Sequence, residues 1–358
     1  MLTRTCAISH RPRTGRSVLE LAWLFLPFLT GACVDSSKAG GNAGGAGGSA
    51  NDTGGSPNDA GGSPSGDGSG TATPAGLHVA GRNLVDGNGE TVVLRGVEHV
   101  ARWNPNAPAD ATGSQVPEIA RTGTNAIRIL GSLPGELDSM LHQAIIENHM
   151  WVSVANVDWA DPITVSTISK YADYVTLHAQ GEVNYRGQGD RWQSDSINVI
   201  GRMRQLGYTS PLELLSTGYG QELDTVLNHG DAVFDADPLR NVVFGVQMYS
   251  NVGNNVSSWL DQAKAFDHPI LVGSCLFQEG IDNAWGNTAT TYQQVWDGSY
   301  ARLLNSFYWM WHGDNNQMSN SGSFGALTTV GQYLVNDSPA ALSSTPVKSA
   351  FILNSRVN

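Results

Sequence analysis

The chain has 358 residues, carries a formal net charge of −12 and is 40% hydrophobic. A chain of this length and apolar content can bury one large core. Its Lys and Arg residues are scattered rather than clustered, so the sequence indicates no basic surface for the phosphates of a nucleic acid. We therefore exclude nucleic acid as an expected partner.

Residues 1–33 have the pattern of an export signal. Several Arg residues precede a mostly apolar run over residues 18–29, which is too short to span a bilayer. The run leads into Thr30-Gly31-Ala32-Cys33, which is similar to the cleavage box of a bacterial lipoprotein. We expect Cys33 to carry a lipid that holds the protein on the cell surface or outer membrane. Ordinary cleavage followed by full secretion is the alternative.

Residues 34–76 are predicted to form a disordered tether. They are rich in Gly, Ser, Asn, Asp and Pro, and Gly-Gly-Ser-Pro occurs at residues 54–57 and 61–64. Such a segment cannot bury apolar surface, and as a flexible coil of about 40 residues it would span roughly 35 Å. Cys275 is the only cysteine after Cys33, so we expect no disulfide within the folded domain.

From Leu77 onward, short runs rich in Val, Ile and Leu alternate with segments of helical spacing. Leu77 to Val93 is predicted to be a hairpin that turns at Asp86-Gly87-Asn88-Gly89. The candidate strands that follow are residues 92–97, 126–130, 151–157, 174–179, 212–217, 242–249, 269–275 and 306–311. Helical spacing lies between them, among other places at residues 137–148, 194–206, 257–265 and 290–304.

This alternation predicts a parallel sheet closed by crossover helices. With eight strands, the fold class is α/β, a (β/α)8 TIM barrel that forms a single domain over residues 77–358. A doubly wound open sheet is the structural alternative. The sequence shows no Gly-rich phosphate loop after an early strand, which weakens that alternative.

In such a barrel, functional residues gather at the C-terminal ends of the strands. The predicted strand ends carry polar and aromatic residues, namely Glu98, His99, Arg128, Asp158, Trp159, Glu182, Gln247, Tyr249, Ser274, Trp309 and Trp311. Aromatic rings beside carboxylates and amides suit sugars, because a pyranose offers an apolar face and a rim of hydroxyls. Packing of these aromatic residues in the barrel core is the alternative.

Several segments match one family pattern in chain order. They are Leu94-Arg95-Gly96-Val97-Glu98-His99 and residues 124–129, 218–221, 233–241, 248–249 and 309–314. Through them the chain resembles glycoside hydrolase family 5, especially its bacterial mannanase and endoglucanase branch. The resemblance implies a retaining mechanism on β-1,4-linked polysaccharide, in which one Glu acts as acid/base and another as nucleophile. We expect no cofactor, and the nine His residues show no metal-ligand spacing.

The resemblance assigns roles to individual residues. Glu182 falls at the acid/base position, and Arg128 falls where the family has an Arg that orients the nucleophile. Tyr249 matches a Tyr that contacts the nucleophile, and Trp311 matches a Trp that floors the subsite of the cleaved sugar. His99 and Gln247 are further candidate substrate contacts.

The chain departs from the family at other positions. Gly181 replaces an Asn, Gln247 and Val157 each replace a His, and Ser274 stands at the nucleophile position. A Ser without an activating base is a poor nucleophile, so we expect hydrolysis to be impaired. Glu279 is a candidate substitute, since a more distant second carboxylate would permit an inverting route through water.

Three functions therefore remain open. The favoured one is a glycan-binding protein of the cell surface that does not hydrolyse its ligand. The others are an active glycosidase that uses Glu182 with a relocated carboxylate such as Glu279, and a scaffold with a vestigial groove. The expected partners are β-1,4-linked polysaccharide or oligosaccharide and the membrane, with the protein itself a monomer.

Overall fold

The computed structural model describes residues 75–104, 106–248, 255–274, 291–313 and 316–357. The predicted export signal with Cys33, and almost all of the predicted tether, lie outside the described residues, as do Tyr249, Cys275 and Glu279. No helix within the described ranges is long and apolar enough to cross a membrane.

The described chain begins with a small antiparallel sheet of β1 (His78–Ala80), β2 (Asn83–Val85) and β3 (Thr91–Val92). The predicted turn at residues 86–89 is confirmed between β2 and β3, where the Asp86 carboxylate accepts hydrogen bonds from the Asn88 and Glu90 amides. The sequence prediction missed the first turn. Gly81 makes it possible by adopting a φ of 58°.

Eight parallel strands then close into a barrel, and one short antiparallel pair interrupts their succession along the chain. In chain order the strands are β4 (Arg95–Val100), β5 (Arg102–Asn104), β6 (Ala107–Pro108), β7 (Ala126–Leu130), β8 (Trp151–Ala155), β9 (Val175–Gln180), β10 (Leu212–Leu215), β11 (Val242–Gln247), β12 (Ile270–Ser274) and β13 (Asn305–Tyr308). The spatial order around the barrel is β4-β7-β8-β9-β10-β11-β12-β13, with β13 pairing back to β4. The predicted TIM barrel is thus confirmed, and the open doubly wound sheet is excluded.

Helices lie between the barrel strands along the chain, and two short ones follow the last strand. They are α1 (Val116–Ala120), α2 (Pro134–Leu141), α3 (Pro162–Lys170), α4 (Gly189–Gln205), α5 (Leu223–Ala236), α6 (Val256–Ala265), α7 (Tyr292–Ala301), α8 (Thr329–Gln332) and α9 (Ala350–Leu353). The predicted helix over residues 137–148 begins earlier, at Pro134, and continues from α2 into a π-helical turn, His142–Glu147. Asp161 caps α3 by accepting hydrogen bonds from the Ile163 and Thr164 amides.

The barrel is covered at the end where its strands begin. The β1 main chain is held there, since the Val79 amide donates to Asn241 Oδ1 just before β11, at 2.9 Å. Phe351 of α9 stacks on Trp151, the first residue of β8, with 6.1 Å between ring centroids. The opposite end of the barrel, where the strands finish, is where polar side chains are gathered.

Candidate functional site

A buried cluster of charged residues lies inside the barrel. Arg128 of β7 donates from Nη1 to Glu98 Oε1 on β4 at 3.0 Å. Its Nη2 donates to both carboxylate oxygens of Glu213 on β10, at 2.6 and 2.7 Å, and its Nε donates to Ser153 Oγ on β8 at 3.1 Å. All four side chains are buried. Glu98, Arg128 and Ser153 are register partners, which places them in one interior layer.

Glycine makes room for this cluster on neighbouring strands. A Cβ at Gly245 of β11 would lie 3.0 Å from Glu213 Oε1, and a Cβ at Gly96 of β4 would collide with the ring of Phe307. That ring in turn lies 4.7 Å from the Arg128 guanidinium carbon. The arginine is therefore held by carboxylates on two sides and by an aromatic face on a third.

The cluster buries one cation, Arg128, with two carboxyl groups, Glu98 and Glu213. Burial raises the pKa of Glu98; Arg128 opposes this effect, and the negative charges of Glu213 and Glu182 add to it. Glu98 makes a single hydrogen bond to Arg128, whereas Glu213 makes two. Together these features raise the pKa of Glu98 and pair the Arg128 guanidinium most closely with Glu213.

His178 of β9 stands beside this pair. It is the register partner of Glu213, and its Nδ1 lies 3.8 Å from Glu213 Oε1. Burial lowers the pKa of His178 to about 4; Glu213 raises it, Arg128 lowers it, and the nearby main chain of Gln180 raises it. Neither ring nitrogen makes a hydrogen bond of good geometry to a described residue. The imidazole is therefore neutral at physiological pH.

The loop that follows β9 carries Glu182, which is exposed and close enough to Glu98 to affect its charge. Gln247 ends β11 as the register partner of Gly273, and the next residue, Ser274, ends β12. Only the main chain of Ser274 is described. The structure therefore brings Glu182, Gln247, Arg128 and the nucleophile position to the same end of the barrel.

Two predicted sugar contacts lie elsewhere. His99 alternates with Glu98 along β4, so it faces away from the barrel interior, and its buried Nε2 lies 3.4 Å from Asp110 Oδ2. Burial lowers the pKa of His99 to about 4. Trp311 is completely buried, and its indole Nε1 donates to the Gly322 carbonyl at 2.9 Å. Neither side chain presents a free face to a ligand in this structure.

A second tryptophan near the end of β13 is less buried than Trp311. Trp309 follows β13 and is only half-buried, edge-on to Trp103 with 5.9 Å between ring centroids. The two indoles pack over an apolar layer that ends the barrel interior, formed by Val100, Leu130, Ala155 and Met310. Trp309 and Trp103 thus lie at the end of the barrel interior, packed against this apolar layer.

Relatives among characterised proteins act on mannan. The chain is 26% identical over 267 residues to a mannan endo-1,4-beta-mannosidase of Salipaludibacillus agaradhaerens. The matched segment covers 68% of this chain and 83% of that protein. It is also 26% identical over 298 residues to a mannan endo-1,4-beta-mannosidase of Cellvibrio japonicus. This match covers 74% of this chain and 66% of that protein. No family model matches the chain.

Solved structures show the same barrel. A β-mannanase from Thermomonospora fusca superimposes with a TM-score of 0.67 at 20% identity and covers 78% of this chain and 100% of its own. The catalytic domain of an endoglucanase from Thermobifida fusca gives a TM-score of 0.56 at 19% identity. This match covers 75% of this chain and 97% of the endoglucanase domain. The comparisons support assignment to glycoside hydrolase family 5, near its mannanases and endoglucanases.

Within that family 5 pattern, the positions of Glu182 and Arg128 are consistent with the roles that the resemblance implied, and these roles remain predictions. The predicted contacts by Tyr249 and the substitute role of Glu279 concern residues outside the described ranges. No group of His, Cys, Asp or Glu side chains suited to a metal ion is found in the part of the chain that the structure describes.

Sequence reasoning missed Glu213, His178 and Ser153, although a signal for the first was present. Glu213 is the single charged residue in the apolar run Leu212-Glu213-Leu214-Leu215, just as Arg128 is in residues 126–130. A buried charge needs an opposite charge nearby, so two lone charges of opposite sign in two buried strands could have been paired. His178 gives no comparable signal, because a single His in a strand is usually a core residue.

Proposed function

We propose that the domain binds β-1,4-linked polysaccharide in a groove at the C-terminal end of the barrel and that its hydrolytic activity is impaired. The observation that carries this proposal is the partner of Arg128. In the family the residue at this position orients the nucleophile. Here Arg128 Nη2 instead donates hydrogen bonds to both carboxylate oxygens of Glu213. Because Ser274 stands at the nucleophile position, Arg128 has no nucleophilic carboxylate to orient and forms an ion pair with Glu213 inside the barrel.

Several features support retained binding. Glu182 remains exposed at the groove, and Trp309 and Trp103 offer aromatic surface on which a pyranose face can stack. Mannan oligomers are the first ligands to test, because the relatives are named as mannan endo-1,4-beta-mannosidases and one similar structure contains mannohexaose.

An active glycosidase is the second candidate. It is favoured by Glu182, which is exposed and to which the family resemblance assigns the acid/base role. In this case a relocated carboxylate such as Glu279 would act with Glu182. Wild-type hydrolysis of an aryl β-mannoside that Glu279→Gln abolishes would establish this second function.

The experiment for the first function is calorimetric titration of the domain with mannohexaose and cellohexaose. We expect binding of at least one oligomer, weakened about tenfold in Trp309→Ala, since stacking contributes about 1 kcal/mol or more. Trp259→Ala, on the outer helix α6, is the matched control and should bind as the wild type does. Absence of heat with both oligomers would favour the scaffold.

We also propose export with lipidation at Cys33. Its support is the basic and apolar pattern of residues 1–29 and the similarity of residues 30–33 to a lipoprotein cleavage box. The protein would then act at the cell surface or outer membrane, where polysaccharide is met before uptake.

A further inference from the structure

Two buried side chains near the charged cluster have polar atoms without partners. The side chain of His178 is 10% exposed, and Gln247 is 9% exposed. Among the described residues, neither ring nitrogen of His178 makes a hydrogen bond of good geometry, although the main chain of Gln180 lies nearby, and Gln247 Oε1 has no donor. Buried polar atoms in folded proteins are nearly always paired with protein, water or a ligand. These atoms therefore mark a place where a polar partner is expected.

Both residues belong to one stretch of the barrel wall. His178 lies on β9 and Gln247 on β11, and β10 with Glu213 runs between these strands. Gln247 is the last residue of its strand, so its side chain stands at the end where the groove lies. A Cβ at Gly220 or at Gly273 would lie 2.9 or 3.3 Å from Gln247 Cγ, so these two glycines make room for the Gln247 side chain.

We propose that His178 and Gln247 form a hydroxyl-binding subsite on the floor of the groove. This inference rests on the proposed function and assigns a contact to it. A sugar hydroxyl both donates and accepts, and a neutral imidazole offers one donor and one acceptor. Gln247 Oε1 accepts a second hydroxyl hydrogen. His178 has no family role in the sequence comparison, so the subsite belongs to this chain's own residues.

The surrounding charges define the class of ligand. Arg128 and Glu213 are bound to each other, Glu98 is held toward its protonated form, and Glu182 at the groove is acidic. No cation faces His178 except Arg128, among the described residues that influence its charge. The subsite therefore suits a neutral hexose such as mannose or glucose and disfavours an acidic sugar such as a uronate.

The test is titration of the full domain with mannohexaose and cellohexaose, using His178→Phe and Gln247→Met. Each variant keeps the side-chain bulk and removes the hydrogen-bonding atoms. We expect affinity to fall about tenfold or more in each, because hydrogen bonds to the ligand are lost, and the melting temperature of each variant shows whether it is folded. His229→Phe, on the outer helix α5, is the matched control and should leave affinity unchanged.

A second measurement needs no variant. The ring nitrogen resonances of His178, whose pKa is lowered to about 4, should shift at neutral pH on saturation with the oligomer that binds. Wild-type binding with unchanged affinity in both variants and unmoved His178 resonances would overturn the subsite alone. Absence of wild-type binding to either oligomer would instead overturn the proposed function.

Discussion

At the scale of single residues, Arg128 organises the charged cluster inside the barrel. Its buried guanidinium is shared by two carboxylates, with one hydrogen bond to Glu98 and two to Glu213, and burial raises the pKa of Glu98. A carboxyl group with a raised pKa can, when protonated, donate a hydrogen bond, which an ionised carboxylate cannot. The cluster therefore adds a titrating group to the site that the family pattern did not indicate.

The charge state of Glu98 should be visible in the stability of the protein. Because folding raises the pKa of Glu98, the native state binds more protons than the unfolded state, and this residue's contribution to stability falls as pH rises. Glu98→Gln keeps a neutral group that can accept from Arg128. We expect the free energy of unfolding of the variant, relative to wild type, to rise between pH 4 and pH 8.

Urea unfolding at several pH values measures this difference. Glu147→Gln, at an exposed position, is the control and should show no such trend. A relative stability of Glu98→Gln that stays level or falls toward pH 8 would show that Glu98 is ionised in the folded protein.

At the scale of elements, runs of Val, Ile and Leu were sufficient to find all eight barrel strands. Their ends were harder to find, because backbone geometry rather than composition ends them. Strand β8 stops at Ala155 since Asn156 adopts a φ of 54°, which leaves the extended region. The prediction had carried this strand on to Val157.

The same difficulty explains why the sequence could not distinguish Trp309 from Trp311 as the candidate sugar contact. Strand β13 ends at Tyr308, so Trp309 and Trp311 lie beyond its ladder, where the two-residue alternation of side chains no longer holds. Sequence alone could not decide which indole faces the groove. The pairing of Glu213 with Arg128 was hidden for another reason, since register between β7 and a strand across the barrel depends on closure of the whole sheet.

The end of β12 offers a test of the proposal that this chain lacks the nucleophile. Ser274→Glu returns a carboxylate to the family position, but Arg128 is bound to Glu213, so we expect little release of nitrophenol from an aryl β-mannoside. Adding Glu213→Gln removes the competing charge. The double variant should turn over faster than Ser274→Glu, by about tenfold or more, since a misplaced catalytic group loses about 10²-fold.

Ser274→Gln with Glu213→Gln is the matched control, because it has the same bulk without the carboxylate and should be inactive. Equal rates in Ser274→Glu with and without Glu213→Gln would mean that Glu213 does not hold Arg128 away from the strand end.

At the scale of the whole molecule, the proposed lipid decides where the groove is used. We expect wild-type protein to fractionate with membranes and Cys33→Ala to appear in the soluble exported fraction, because a lipidated N-terminus partitions into the bilayer. Immunoblots of separated fractions measure this, with Cys275→Ala as control. Wild-type protein found free in the medium, cut at another residue, would exclude the lipoprotein assignment.

The covered end of the barrel has a consequence for attachment. The Leu77 amide is bound to the Asp173 carbonyl at 2.8 Å, just before β9, so the chain enters the domain at the face opposite Glu182 and Trp309. The barrel strands of up to six residues separate the two faces by roughly 20 Å. Anything joined at residue 75, whether a surface, a bead or a fused protein, therefore lies at the opposite end of the barrel from the proposed groove and leaves that end open to a long polymer chain.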